Sequence, residues 1–204
     1  MEMQSQNRKA DVTEIWRNVV NQISQVPFWG SQKTILPGTA ETMDKEYRQE
    51  VLKLIEDFSE KMNAFRHQGT VVIEQFMESP PKDFQEGVQR SKSVQTKMSK
   101  IAADISKIEF PNEVFVRGKK YNLKDEHASI NEIKDNFIKG FTFTSKGYDY
   151  VSPYFGDQNP NALNQMRASF RQADEYFLKG MFDLEALKAK YSEPIGNNNI
   201  KTFN

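Results

Sequence analysis

Cysteine is missing from all 204 residues of this chain. That excludes a disulfide framework, a thiolate nucleophile and a zinc–thiolate site. Histidine is almost as scarce, with His67 and His127 the only two. Neither has glutamate three positions before it, since Ala64 and Lys124 stand there, so the Glu-x-x-His ligand pair of di-iron bundles does not occur. The sequence also lacks His-Glu-x-x-His, G-x-x-x-x-G-K-[ST], G-x-G-x-x-G and G-x-S-x-G, which removes the usual metal, phosphate, dinucleotide and nucleophile-elbow signatures. Carboxylates are plentiful but interleaved with bases, as on solvated helix faces. No catalytic residue, cofactor or metal is expected.

Charge of one sign is lacking too. Lys and Arg number 28 against 28 Asp and Glu, a formal net charge of zero, so no global field draws the chain to nucleic acid or an anionic membrane. No apolar run reaches bilayer-spanning length, and Met1–Ala10 has no signal-peptide core. These absences read as a soluble intracellular protein.

What is present is a helical rhythm. Hydrophobic residues make up 37% and mean hydropathy is −0.73, low values that suit long helices with one buried stripe. From Thr42 to Ile108 two seams are legible. Tyr47, Val51, Leu54, Phe58, Met62, Phe65, Val72 and Phe76 recur in steps of three or four, with Gly69 in the one gap. Ser79-Pro80-Pro81 interrupts, and Phe84, Val88, Val94, Met98, Ile101, Ile105 and Ile108 follow, with Ser91 in the missing slot. Two seamed helices around a proline turn predict an antiparallel hairpin. Gly69 marks either a close crossing or a break, and the adjacent Thr70–Ile73 run of β-branched residues favours a kink. The first arm, Asp44–Glu78, carries eight acids and five bases, and Val88–Ile108 carries five bases and one acid. Opposed charge therefore predicts pairing between the arms.

Elsewhere the chain predicts a polar tail at 1–10 and a short helix from Asp11, with Glu14 in capping-box position, to about Gln25. An apolar loop follows with Phe28, Trp29, Ile35 and Leu36, which either plugs one end of the core or meets a partner. Glu113–Leu123 alternates around Gly118 and predicts a β-hairpin. A helix over about 125–139 is expected to end at Gly140. Phe141–Val151 then alternates around Gly147 and predicts a second hairpin, and Ser152–Asn159 a loop with exposed Tyr154 and Phe155. Asn159-Pro160 starts a third long helix with Leu163, Met166, Phe170, Ala173, Phe177, Met181, Leu184 and Leu187 on its seam. A polar tail occupies 195–204.

The fold class so predicted is mainly α: one domain over 11–194, an elongated antiparallel helical bundle (helices about 42–78, 80–109 and 160–191). A small α/β insertion of two short hairpins covers 113–151. The function expected is a non-catalytic interaction protein, a structural, accessory or adaptor subunit of a larger assembly. Phe28, Trp29, Tyr154 and Phe155 are the expected partner-binding residues, and self-association through the seams is a further possibility. The alternative is nucleic-acid binding through the basic helix 88–108 and the hairpin tip 115–121, with Arg117, Lys119, Lys120 and Tyr121 holding phosphates and stacking bases. A third reading is a peripheral coat on a lipid or polymer surface.

Overall fold

A computed structural model of the chain describes residues 12–25, 45–157 and 159–192. The predicted tails at 1–10 and 195–204, the Asp11 cap and the aromatic loop with Phe28 and Trp29 lie outside the described residues. Five helices and one hairpin make up the rest: α1 (Val12–Ser24), α2 (Lys45–Met77), α3 (Phe84–Ser106), β1 (Glu113–Val116), β2 (Lys119–Asn122), α4 (Lys124–Asp157) and α5 (Pro160–Tyr191).

The three seams predicted from sequence are all helices, and a fourth long helix joins them. The mainly α bundle is therefore what forms, with one small hairpin rather than two. Each of α2 to α5 packs on the next in chain order, α5 closes back onto α2, and α1 lies across α4 and α5. The most extensive pairings are α3 with α4 and α4 with α5. The organising element is thus α4. Arg90 pairs with Glu86 inside α3, and Lys107, just past its end, pairs with Asp104.

Local signals define the corners. Asp83 caps α3, its Oδ1 accepting from the Glu86 N–H at 2.7 Å. Glu86 in turn accepts from the Lys82 N–H at 2.7 Å, a variant of the capping box. Arg90 then donates to the Ser79 carbonyl at 2.7 Å, which ties the proline turn to the helix. At the other end of α3, the Lys134 ammonium donates to the Ile108 carbonyl at 2.5 Å, where the helix dipole favours a cation. Asn159 caps α5 and Pro160 opens it, as the sequence predicts.

The second predicted hairpin, Phe141–Val151, is the principal error: it is continuous helix inside α4. Phe, Thr, Tyr and Val favour strands, and Gly140 and Gly147 look like a stop and a turn. Burial shows the competing pattern. Ile130, Ile133, Phe137, Phe141, Thr144, Tyr148, Val151 and Phe155 are all buried and step by three or four, which is a helical seam. Thr142 and Thr144 satisfy their hydroxyls on the carbonyls of Ile138 (2.8 Å) and Gly140 (2.9 Å), a bond open to threonine inside a helix. The helix continues through Pro153 to Asp157, so the loop expected at 152–159 is also mostly helical.

The glycines are notches for rings. A Cβ on Gly140 would lie 2.6 Å from Phe177, and one on Gly180 would lie 3.1 Å from Phe137. Gly147 faces Phe170 in the same way. These three contacts share one antiparallel alignment of α4 and α5: three residues back along α4 from Gly140 is Phe137, and three on from Phe177 is Gly180. Gly69 receives Phe141 at 2.7 Å and Gly87 receives Phe155 at 2.7 Å, extending the device to α2 and α3. Gly69 is therefore a close crossing, and α2 runs unbroken past it to Met77. Each ring so seated contributes on the order of 1.5–3 kcal/mol of burial, against about 1 kcal/mol lost by placing glycine rather than alanine in a helix.

Candidate functional site

One end of the bundle gathers the start of α2, the hairpin, the start of α4 and the end of α5. Asn122 closes β2 and its Oδ1 accepts from the Lys124 N–H, the first amide of α4, at 2.8 Å. Leu123, fully buried, donates its N–H to the Asn112 carbonyl at 2.8 Å. That anchorage aims Asp125 and Glu126, in the first turn of α4, towards Tyr191 at the end of α5. Between them lies a cleft of about 480 Å³ lined by Tyr47, Asn122, Lys124, Asp125, Glu126, Lys190 and Tyr191.

Glu126 is the centre of the cleft and is buried. The Tyr191 hydroxyl donates to its Oε1, and the Lys190 ammonium lies 3.3 Å from the same oxygen. Burial alone pushes the carboxyl up, but the Tyr191 hydroxyl, a backbone N–H and Lys190 together outweigh it and hold Glu126 below the usual carboxylate range. The Tyr191 hydroxyl moves the opposite way, raised by burial and by the hydrogen bond and charge of Glu126. Tyr47 is raised too, by burial and then by Glu126, with Tyr191 partly offsetting them. Its ring packs against Tyr121 at 4.8 Å and edge-on to Tyr191 at 6.5 Å. A carboxylate that stays ionised and a phenol that stays protonated are not poised to exchange protons near neutrality. The cluster fastens α4 to α5. Among the described residues, no group of three or more His, Cys, Asp or Glu side chains is placed to hold a metal ion. No helix there is long and apolar enough to cross a membrane.

The predicted nucleic-acid residues come together at the hairpin, but their groups are engaged. Arg117 and Gly118 form its two-residue turn with φ of 50° and 75°, the left-handed pair that a tight hairpin requires. Arg117 ion-pairs with Glu46 of α2, and Lys120 with Glu113 of β1. Lys119 lies over the Tyr121 ring at 5.1 Å, while Tyr121 rests against Tyr47. On α3, Lys92, Lys97 and Lys100 remain exposed. His67 is exposed, and His127 lies 3.0 Å from the Asn131 amide through Nδ1.

Two of the four expected partner aromatics, Tyr154 and Phe155, are buried. Tyr154 and Phe155 are not loop residues but belong to α4, at 8% and 0% exposure. Phe155 fills the Gly87 notch, and the Tyr154 hydroxyl accepts from the Asn18 amide of α1 at 3.5 Å. Both serve the core. The exposed aromatic of the hairpin is instead Phe115, at 63%.

A different apolar surface is present on α5. Leu178 and Phe182, one turn apart, are 43% and 51% exposed. They point away from the stripe of Phe177, Gly180, Leu184 and Leu187 that faces the core. The sequence held the clue: two large apolar residues four apart, off a seam already complete without them. No protein-family model, curated protein or solved structure matches this chain.

Proposed function

We propose that this chain is a non-catalytic interaction subunit of a larger protein assembly, and that it docks through the outer face of α5. The observation that carries the reading is the exposed Leu178–Phe182 pair. Single exposed apolar residues are ordinary on a protein surface, whereas large ones adjacent on one helix face concentrate apolar area where a partner buries it. The cleft at the end of α5 supports the reading in a second way, because its ionisable groups are committed to holding helices together.

Replacing both residues tests it, as Leu178→Ser with Phe182→Ser. The melting temperature of the isolated protein should hardly change, because neither side chain fills the core. Proteins co-purified from the native source should bind at least tenfold more weakly, equivalent to about 1.4 kcal/mol. An unchanged set of partners at unchanged affinity would overturn the reading.

A nucleic-acid role draws support only from the exposed Lys92, Lys97 and Lys100 of α3. It predicts affinity for a single-stranded oligonucleotide that falls steeply with salt and is lost when the three become glutamine.

A further inference from the structure

The two helices that flank residues 26–44 are anchored at opposite ends of α5. Near the end of α1, the Gln22 Oε1 accepts from the Arg167 Nε of α5 at 2.6 Å. One turn earlier, the Asn18 amide donates to the Tyr154 hydroxyl of α4. This is the end of the bundle at which α4 passes into α5. The start of α2 lies at the far end, where the Tyr47 ring meets Tyr191 edge-on at 6.5 Å and Glu46 pairs with Arg117 of the hairpin. Arg167 and Tyr191 stand 24 positions apart, about 36 Å along the axis at 1.5 Å per residue. The chain from Gln25 to Lys45 therefore travels most of the length of α5. Fully extended it reaches up to about 66–72 Å, so it covers that distance with slack enough to follow the helix surface.

The direct route passes the exposed apolar pair. Leu178 is eleven positions beyond Arg167, close to three helical turns, and so lies on the same line of α5 as the Gln22 anchor. It stands about 16 Å along that line, with Phe182 one turn further. The segment that makes the crossing is apolar where it passes. Val26, Phe28, Trp29, Ile35 and Leu36 fall within eleven residues whose only charge is Lys33. Around the pair on α5, Arg171 offsets Glu175, and Lys188 pairs with Glu185 at 2.8 Å, so charge on the face selects no partner. What the face and the segment have in common is apolar area that gains by leaving water.

We infer that residues 26–36 lie along the outer face of α5 and that their apolar side chains cover Leu178 and Phe182. In the interaction-subunit reading above, a partner then competes with the chain's own segment, and its apparent affinity scales with the fraction of molecules whose face is uncovered.

The test is a photo-crosslink in the full chain at low concentration, with p-benzoylphenylalanine placed at position 182 and the adducts of the monomer mapped by peptide mass spectrometry. Adducts should fall within residues 26–36. The same group at Gln172, exposed one turn before the Tyr176 that stacks on Phe143 of α4, should give none there. Changing Phe28, Trp29, Ile35 and Leu36 together to serine should remove the adduct from position 182. Adducts elsewhere in the monomer, or no adduct, would overturn the inference. So would an adduct that forms only between two molecules, which would make a second copy the occupant. An adduct that survives the four serines would overturn it as well, since the segment would then be near the face without being held by apolar contact. If native partners depend on Leu178 and Phe182 while position 182 yields no adduct in 26–36, the interaction-subunit reading stands and this inference falls. The adduct together with partners indifferent to positions 178 and 182 would leave this inference standing and remove that reading.

Discussion

Alanine at Gly140 should destabilise this protein even though alanine is the better helix former. The added Cβ would lie 2.6, 2.7 and 2.8 Å from three ring carbons of Phe177, where carbon atoms rest comfortably at about 3.5–4.0 Å. The ring would need to retreat by roughly 1 Å. It has nowhere to go, being 2% exposed and braced edge-on by Phe141 at 4.9 Å. Overpacking of this kind costs about 1–3 kcal/mol. Three ring atoms are hit at once, so the upper part of that range applies. Setting it against the roughly 1 kcal/mol that alanine gains in helix propensity leaves a net loss of about 2 kcal/mol. Two other glycines calibrate the argument. At Gly180 the nearest ring atoms are 3.1 Å away, so Gly180→Ala should fall within about 0.5 kcal/mol of the parent, the two effects nearly cancelling. At Gly156 nothing lies within 4 Å, so Gly156→Ala should stabilise by up to about 1 kcal/mol. Urea unfolding followed by helical circular dichroism measures all three, with the denaturant slope checked for constancy. Shortening the ring by Phe177→Leu in the Gly140→Ala background should recover part of the loss, with a coupling above about 0.5 kcal/mol. A Gly140→Ala variant as stable as the parent, or one with no coupling to position 177, would refute ring-in-notch packing.

Further outcomes follow from single groups. Tyr148 is fully buried and its hydroxyl has no hydrogen-bond partner among the described residues, so Tyr148→Phe should stabilise by about 1 kcal/mol in urea unfolding. Burial also raises that hydroxyl above the ordinary value of 10.0. Its contribution is intact below pH 10 and is lost as pH climbs above it, so Tyr148→Phe should retain more stability in an alkaline titration. Glu126 is depressed below its ordinary 4.5, so its contribution is present above that value and lost as pH falls through the depressed one. Glu126→Gln should therefore cost about 1–3 kcal/mol at neutral pH, and the gap to the parent should narrow as pH falls below the ordinary 4.5. Removing the cap by Asp83→Ala should cost about 1 kcal/mol, read from the same unfolding curves.

The parts of this fold legible in the sequence were those written in local spacing. Seams at 47–76, 84–108 and 163–187 became helices because a stripe at helical period buries itself wherever another stripe is available. Gly118 marked its hairpin because a left-handed turn leaves few other choices. Gly140 and Gly147 were misread for the converse reason. Their meaning lies with Phe177 and Phe170, on a helix that begins only at Pro160. Without those rings, Phe141–Val151 is a fair strand by propensity. The end cleft was hidden in the same way. Tyr47 was visible as a seam residue, but Glu126 was one carboxylate among many interleaved with bases. Its partner Tyr191 stands 65 positions later, and nothing near Glu126 announces it. Tyr154 and Phe155 seemed available because a loop was expected where α4 in fact continues.

The spacing of the ring-and-notch contacts bears on how α4 and α5 find one another during folding. Gly140 and Gly147 are seven residues apart, and so are Phe170 and Phe177. A pattern that repeats at seven is ambiguous, since a slide of one heptad still fits one ring into one notch. The contact between Phe137 and Gly180 has the opposite polarity, with the ring on α4 and the notch on α5. A slide one way brings Phe137 against Leu187, and a slide the other way brings Phe177 against Ile133. Neither site has room for a ring. On each slide a ring is left against a large side chain, so the two helices keep a single mutual solution, and a misaligned pair is rejected by steric conflict while both helices are still fully formed.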